Sequence, residues 1–209
     1  ESTSRAHFGL YNYSRATTPE LNSIKEELNI YTDVISPHPH SISSITKLLT
    51  LGNYEGPNKI GDGSIIQLAN SANFETFWLS NQRPIGIYES LVTKIALSST
   101  KSKFLTTTFG VHNKVMDGAL LPELETILMD DSASKKIIFI HLMGTHLSYA
   151  NRYPEAFNTF KSIPFSNYKS EETTKIINDY DNAVLYSDYV ISQVIKKTKS
   201  LNKKSFVLY

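Results

Sequence analysis

Two short stretches of this 209-residue chain hold residue types that can work on a phosphoryl group. The first is Ser36-Pro37-His38-Pro39-His40-Ser41. A hydroxyl at a helix start is a well-placed nucleophile, because the first-turn backbone N–H groups point out of the helix and stabilise an anion. Local pattern alone favours the plainer role for Ser41, a helix cap, since serine is strongly preferred there. His38 and His40 lie two apart in a proline-rich loop, where surface histidines are the simpler reading than a metal pair. The second stretch is His141-Leu142-Met143-Gly144-Thr145-His146, at the end of an apolar run. A strand-end histidine beside glycine suits a ligand or phosphate contact, while a strand histidine such as His141 is more often a hydrogen-bonded core residue. The chain has no cysteine, which excludes thiolate nucleophiles, disulfides and cysteine metal sites. No Walker loop, G-x-S-x-G or H-E-x-x-H pattern is present.

The elements that must carry these groups alternate in type. The residue pattern predicts strands over 31–35, 76–79, 104–109, 136–143 and 205–209. It predicts helices over 41–51, 64–72, 86–97, 117–128 and 171–198. Residues Ile137 to Ile140 form an unbroken apolar run, as in a strand buried on both faces. In the last helix, Lys196, Lys197 and Lys199 crowd the C-terminal end, where the helix dipole favours cations. Such alternation predicts an α/β domain with a mostly parallel sheet covered by helices on both faces, and 137–141 as an interior strand. In these sheets the active site lies at the C-terminal ends of the strands. Both stretches fall there.

Bulk composition narrows the function. With 40% hydrophobic and 20% charged residues the chain reads as one globular domain over 1–209. A net charge of +1 gives no electrostatic footprint for a nucleic-acid partner. No apolar run approaches the roughly 18–20 residues of a membrane span. The sequence opens at Glu1 and stops at Tyr209 inside an apolar run, so the domain is expected to be incomplete at both ends.

Several separated segments, in order, resemble the phosphoethanolamine transferases of the alkaline-phosphatase/sulfatase superfamily, the type that modifies lipid A, lipooligosaccharide core or related envelope acceptors. Glu1 to Leu21 resembles their opening segment, and Val34 to Ser41 their nucleophile loop. Phe77-Trp78-Leu79-Ser80-Asn81-Gln82 matches a central strand. Ile140 to His146, with Tyr149 and Asn151 to Pro154, resembles the substrate-phosphate segment, and Tyr180 to Tyr189 the long helix before the last metal motif. The resemblance implies an alkaline-phosphatase/sulfatase-like fold and a zinc-dependent phosphotransferase. It implies Glu1 as a zinc ligand, Ser41 as nucleophile and zinc ligand in place of the more usual threonine, and His146 as a contact to the transferred phosphoryl group. It assigns nothing to His38, His40 or His141.

The resemblance further implies phosphatidylethanolamine as donor, a covalent intermediate on Ser41, and lipid A, core oligosaccharide or another envelope molecule as acceptor. It implies a bacterial inner-membrane enzyme, anchored through an N-terminal segment that this chain lacks, with this domain in the periplasm. The remaining zinc ligands, an Asp-His pair, are expected beyond Tyr209, so zinc is expected to bind weakly or not at all to these residues alone. Two alternatives stay open. One is a sulfatase or phosphodiesterase hydrolase on the same fold, although Ser36 is followed by His38 and His40 where a formylglycine sulfatase needs proline and arginine. The other is a catalytically silent binding fragment.

Overall fold

The computed structural model describes residues 3–52, 63–84, 90–106, 115–162 and 170–209. In chain order its elements are α1 (Pro19–Ser23), α2 (Ser41–Leu49), α3 (Ile65–Ser71), β1 (Glu75–Ser80), α4 (Leu91–Leu97), β2 (Lys101–Phe104), α5 (Leu120–Met129), β3 (Lys136–His141) and α6 (Glu171–Ser200), with short 3-10 turns between them. The chain divides into two compact units. One comprises Tyr31–Asn113 and Met129–Leu142; the other comprises Ser2–Ile30, Lys114–Leu128 and Met143–Tyr209.

The first unit is built on a parallel sheet of order β2-β1-β3. Its central strand β1 is the most buried of the three, and Phe77, Trp78 and Leu79 are each no more than 3% exposed. Pairing sets the faces: Trp78 is level with Phe139, and Ser80 with His141. Ile66 of α3 and Ile95 and Ala96 of α4 pack with Trp78, and Ile45, Leu49, Val92, Phe104 and Phe139 close around them. Ser64 starts α3 with a reciprocal cap, its hydroxyl accepting from Gln67 N–H while the Gln67 side chain accepts from Ser64 N–H.

The second unit is organised by α6. Ser170 caps its start, Glu171 and Glu172 occupy its first turn, and Lys197 and Lys199 its last, each charge on the dipole end that favours it. Buried polar side chains of α6 hold chain that has little regular structure of its own. The fully buried Asp181 carboxylate accepts from Tyr13 Oη–H at 2.9 Å and Arg15 Nη1–H at 2.8 Å, and lies 2.7 Å from His7 Nδ1. Asp188 accepts from the Glu20 and Leu21 N–H groups at the head of α1. Asn182 accepts from the N–H groups of Thr159 and Phe160. Buried backbone donors need partners, and here side chains supply them.

Four sequence expectations are corrected. Residues 31–35 form no strand, and Tyr31, Val34 and Ile35 are 65%, 65% and 87% exposed. Residues 205–209 are likewise irregular and exposed. Both runs have strand-like side chains but join no sheet ladder among the described residues, and pairing rather than propensity makes a strand. The 137–141 segment is a strand, yet among the described residues it is the edge of the sheet, and every residue of β3 is half-buried; β1 is the interior strand. Finally, β2 begins three residues before the predicted strand, at Lys101. Its position is fixed by register with β1, Phe77 against Lys101, which its polar side chains do not announce.

Candidate active site

In the first unit the loop before α2 is tied down residue by residue. Ser36 Oγ–H donates to the His38 carbonyl at 2.8 Å and its oxygen is 3.0 Å from Ser44 Oγ. The His40 N–H donates to His38 Nδ1 at 3.1 Å, and Lys47 Nζ reaches the Pro37 carbonyl. These contacts use His38 to close the turn. They also leave the cap position to His40, in extended conformation, so that Ser41 is the first residue of the helix proper and not its cap. Helix geometry aims the N–H groups of this first turn out of the helix end, where an anion would be stabilised.

Ser41 lines a cavity of about 60 Å³ together with Ile42, Trp78, Ser80, Arg83 and His141. Two of these mark the C-terminal end of the sheet, where Ser80 closes β1 and His141 closes β3. His141 Nδ1 is 3.3 Å from Ser80 Oγ, and its ring meets Trp78 edge-on. Burial pushes its imidazole down to about 4, so it is neutral at pH 7. His141 thus has the hydrogen bond and packing of a core histidine while sharing a cavity with Ser41. Sequence alone gave no sign of this second property, because it depends on the β1–β3 register; nor did it single out Ser80 or Arg83.

In the second unit His146 sits on a tight turn. Its N–H donates to the Met143 carbonyl at 3.2 Å, and its own carbonyl accepts from Arg152 Nε–H at 3.1 Å. Gly144 has φ +54°, a conformation that glycine adopts without strain. Thr145 is buried, its hydroxyl 2.9 Å from that of Thr3, whereas His146 is partly open to solvent. The N–H groups of Met143 and Gly144 both donate to the carboxylate of Asp117, at 2.8 and 2.7 Å. Asp117 was not legible as a site residue, since it stands in no recognisable motif; Arg152 lies in the Asn151–Pro154 part of the resembling segment, which gave it no role of its own.

Glu1 lies outside the described residues. Among the described residues no three His, Asp or Glu side chains converge on a point that could hold a metal ion. Ser41 is accessible as one oxygen ligand, but the described side chains do not by themselves make a zinc site, which takes about four donors. Among the described residues no helix is long and apolar enough to cross a membrane.

The profile of the family described as Sulfatase matches residues 1–209. The chain is 31% identical over 217 residues to phosphoethanolamine transferase EptC of Escherichia coli K12, covering 100% of this chain and 37% of that protein. It is also 31% identical, over 215 residues, to phosphoethanolamine transferase CptA of Salmonella typhimurium LT2, with the same two coverages. The crystal structure of the C-terminal periplasmic domain of E. coli EptC in complex with Zn superposes with a TM-score of 0.90 at 31% identity, over 97% of this chain and 58% of that one. The chain therefore spans a little over a third of the length of these curated relatives.

Proposed function

The chain belongs to the sulfatase family, with an alkaline-phosphatase/sulfatase-like α/β fold, and from that premise we propose that residues 1–209 form the larger part of a catalytic domain that transfers phosphoethanolamine from phosphatidylethanolamine to an envelope lipid or glycan. The observation that carries this reading is the placement of Ser41: a hydroxyl at the head of α2, opening on a cavity at the C-terminal end of a parallel sheet, in a chain that resembles phosphoethanolamine transferases along its whole length.

Ser41 Oγ attacks the phosphorus of the donor, the bond from phosphorus to the diacylglycerol oxygen breaks, and diacylglycerol leaves as the alcohol. The phosphoethanolamine held on Ser41 then passes to an acceptor hydroxyl, which releases Ser41. The outward N–H groups at the head of α2 oppose the negative charge that builds on the phosphoryl oxygens, and the resemblance assigns His146 as a contact to the transferred group. Zinc would supply a lowered pKa for the Ser41 hydroxyl, with Ser41 and Glu1 as the residues of this chain that hold it; a relative's structure with Zn supports the metal's identity. By the same resemblance the enzyme works in the periplasm from an inner-membrane anchor, on lipid A or core oligosaccharide.

The test is incubation of the purified intact protein with phosphatidylethanolamine followed by peptide mass spectrometry. A single phosphoethanolamine adduct is expected on Ser41, absent in Ser41→Ala and present in Ser41→Thr. An adduct elsewhere, or full transfer by Ser41→Ala, refutes the reading.

A further inference from the structure

The second unit contains an acid whose geometry has no counterpart in the scheme above. Asp117 is 4% exposed and stands at the start of the 3-10 turn that leads into α5. Its two carboxylate oxygens are divided between two consecutive backbone donors, Oδ1 to Met143 N–H and Oδ2 to Gly144 N–H. Those donors lie immediately before Thr145 and His146. On the far side of His146 the guanidinium of Arg152 holds the carbonyls of His146 and Leu147. The main chain is thus gripped on both sides of the one histidine, by an anion before it and a cation after it. Hydrogen bonds to an ionised acceptor are roughly twice as strong as neutral ones, so this is a stiff mount. Gly144 is the flexible point of the turn, with φ +54° and open space where a side chain would be, and it is the residue that Asp117 grips.

We propose that Asp117 is a positioning residue for phosphoryl transfer: by holding the Met143 and Gly144 amides it fixes the turn that presents His146 to the phosphoryl oxygens. The proposal rests on the phosphoryl role of His146 given above. Asp117 touches no substrate. It acts through His146, and a misplacement of about 1 Å in a contacting group is enough to cost on the order of a hundredfold in rate.

The test is a kinetic double-mutant cycle in the intact protein, with Asp117→Asn, His146→Ala and the pair. Asparagine keeps the shape but offers one acceptor oxygen instead of two. Asp117→Asn is expected to lower kcat about 10–100-fold, with a much smaller change in KM. Added to His146→Ala it should lower kcat no further, because the residue it positions is gone. Amide exchange at Met143 and Gly144 should accelerate in Asp117→Asn. Tyr186→Phe is the structural control: it removes the hydroxyl that accepts from Gly118 N–H in the same turn, and should lower stability while leaving kcat unchanged. If Asp117→Asn does not fold, Arg152→Gln enters the same cycle from the other side of His146, with the same non-additivity expected. Equal rate losses from Asp117→Asn with and without His146, or unchanged amide exchange at 143 and 144, overturn the proposal. A fully active His146→Ala removes the phosphoryl role itself and the proposal with it, and is recognised because it appears with Asp117 intact.

Discussion

Ser80 and His141 end neighbouring parallel strands in register, and the hydroxyl of one lies 3.3 Å from Nδ1 of the other. The contact is met by the neutral imidazole, and burial disfavours the charged ring. Protonating His141 therefore costs stability.

The sign follows from the pKa values. His141 is depressed from 6.5 to about 4 by burial, so between those values the unfolded chain binds more protons, and the contribution of His141 is complete above pH 6.5 and lost as pH falls towards 4. Asp188 is raised from 3.8 to about 6, burial outweighing its two backbone hydrogen bonds, so in nearly the same window the folded state binds more protons and stability grows as pH falls. The two trends oppose each other. Relative to wild type, His141→Gln should gain stability on going from pH 7 to 4.5 and Asp188→Asn should lose it, each by about 2 kcal/mol, since one pKa unit is worth 1.36 kcal/mol. Urea midpoints at the two pH values measure both, and parallel profiles for all three proteins would contradict the assignment.

Two ion pairs of α6, Arg15–Asp181 and Lys175–Asp179, should differ widely in worth. Asp181 is fully buried against Arg15, itself 10% exposed, while the Lys175–Asp179 pair is an i,i+4 contact with the lysine 72% exposed. Asp181→Ala strands a buried guanidinium and should cost about 3–5 kcal/mol. Lys175→Ala should cost no more than about 0.5 kcal/mol. Chemical denaturation of the two variants separates the cases.

Gly118 is held to glycine by a neighbour. A Cβ there would stand 2.7 Å from Tyr186 Oη, the atom that accepts its N–H. Gly118→Ala should destabilise by about 1–3 kcal/mol through overpacking. With the oxygen removed the next atom of the ring is 3.8 Å away, so Gly118→Ala should cost much less in a Tyr186→Phe background. Additive melting shifts would show that the crowding is absorbed elsewhere.

Much of this architecture was readable from periodicity. The lysine-rich end of α6, the apolar run in β3 and the alternation of strand and helix each leave a local signature, and they led to the correct fold class. What escaped the reading is what depends on partners. Residues 31–35 and 205–209 look like strands in isolation, and Lys101–Phe104 does not look like one until Phe77–Ser80 lies beside it. The candidate site divides in the same way. Ser41 and His146 were singled out because their loops resemble a family's loops. His141 beside Ser41's cavity, and Asp117 under the turn of His146, are products of long-range geometry, and no short window of sequence holds both partners.

The ties from α6 to the opening of the chain also impose a schedule. His7 and Asp181 are 174 positions apart, and Glu20 and Asp188 are separated by 168. At about 5–20 residues per second of synthesis, roughly 10–35 seconds pass between the emergence of a donor and that of its acceptor. Through that interval the first turns and α1 wait for their α6 partners, so this segment is made before, and fixed after, most of the residues that lie between. A nascent chain stalled before residue 170 should have its Tyr13–Arg15 segment cut readily by protease, and release past residue 200 should protect it.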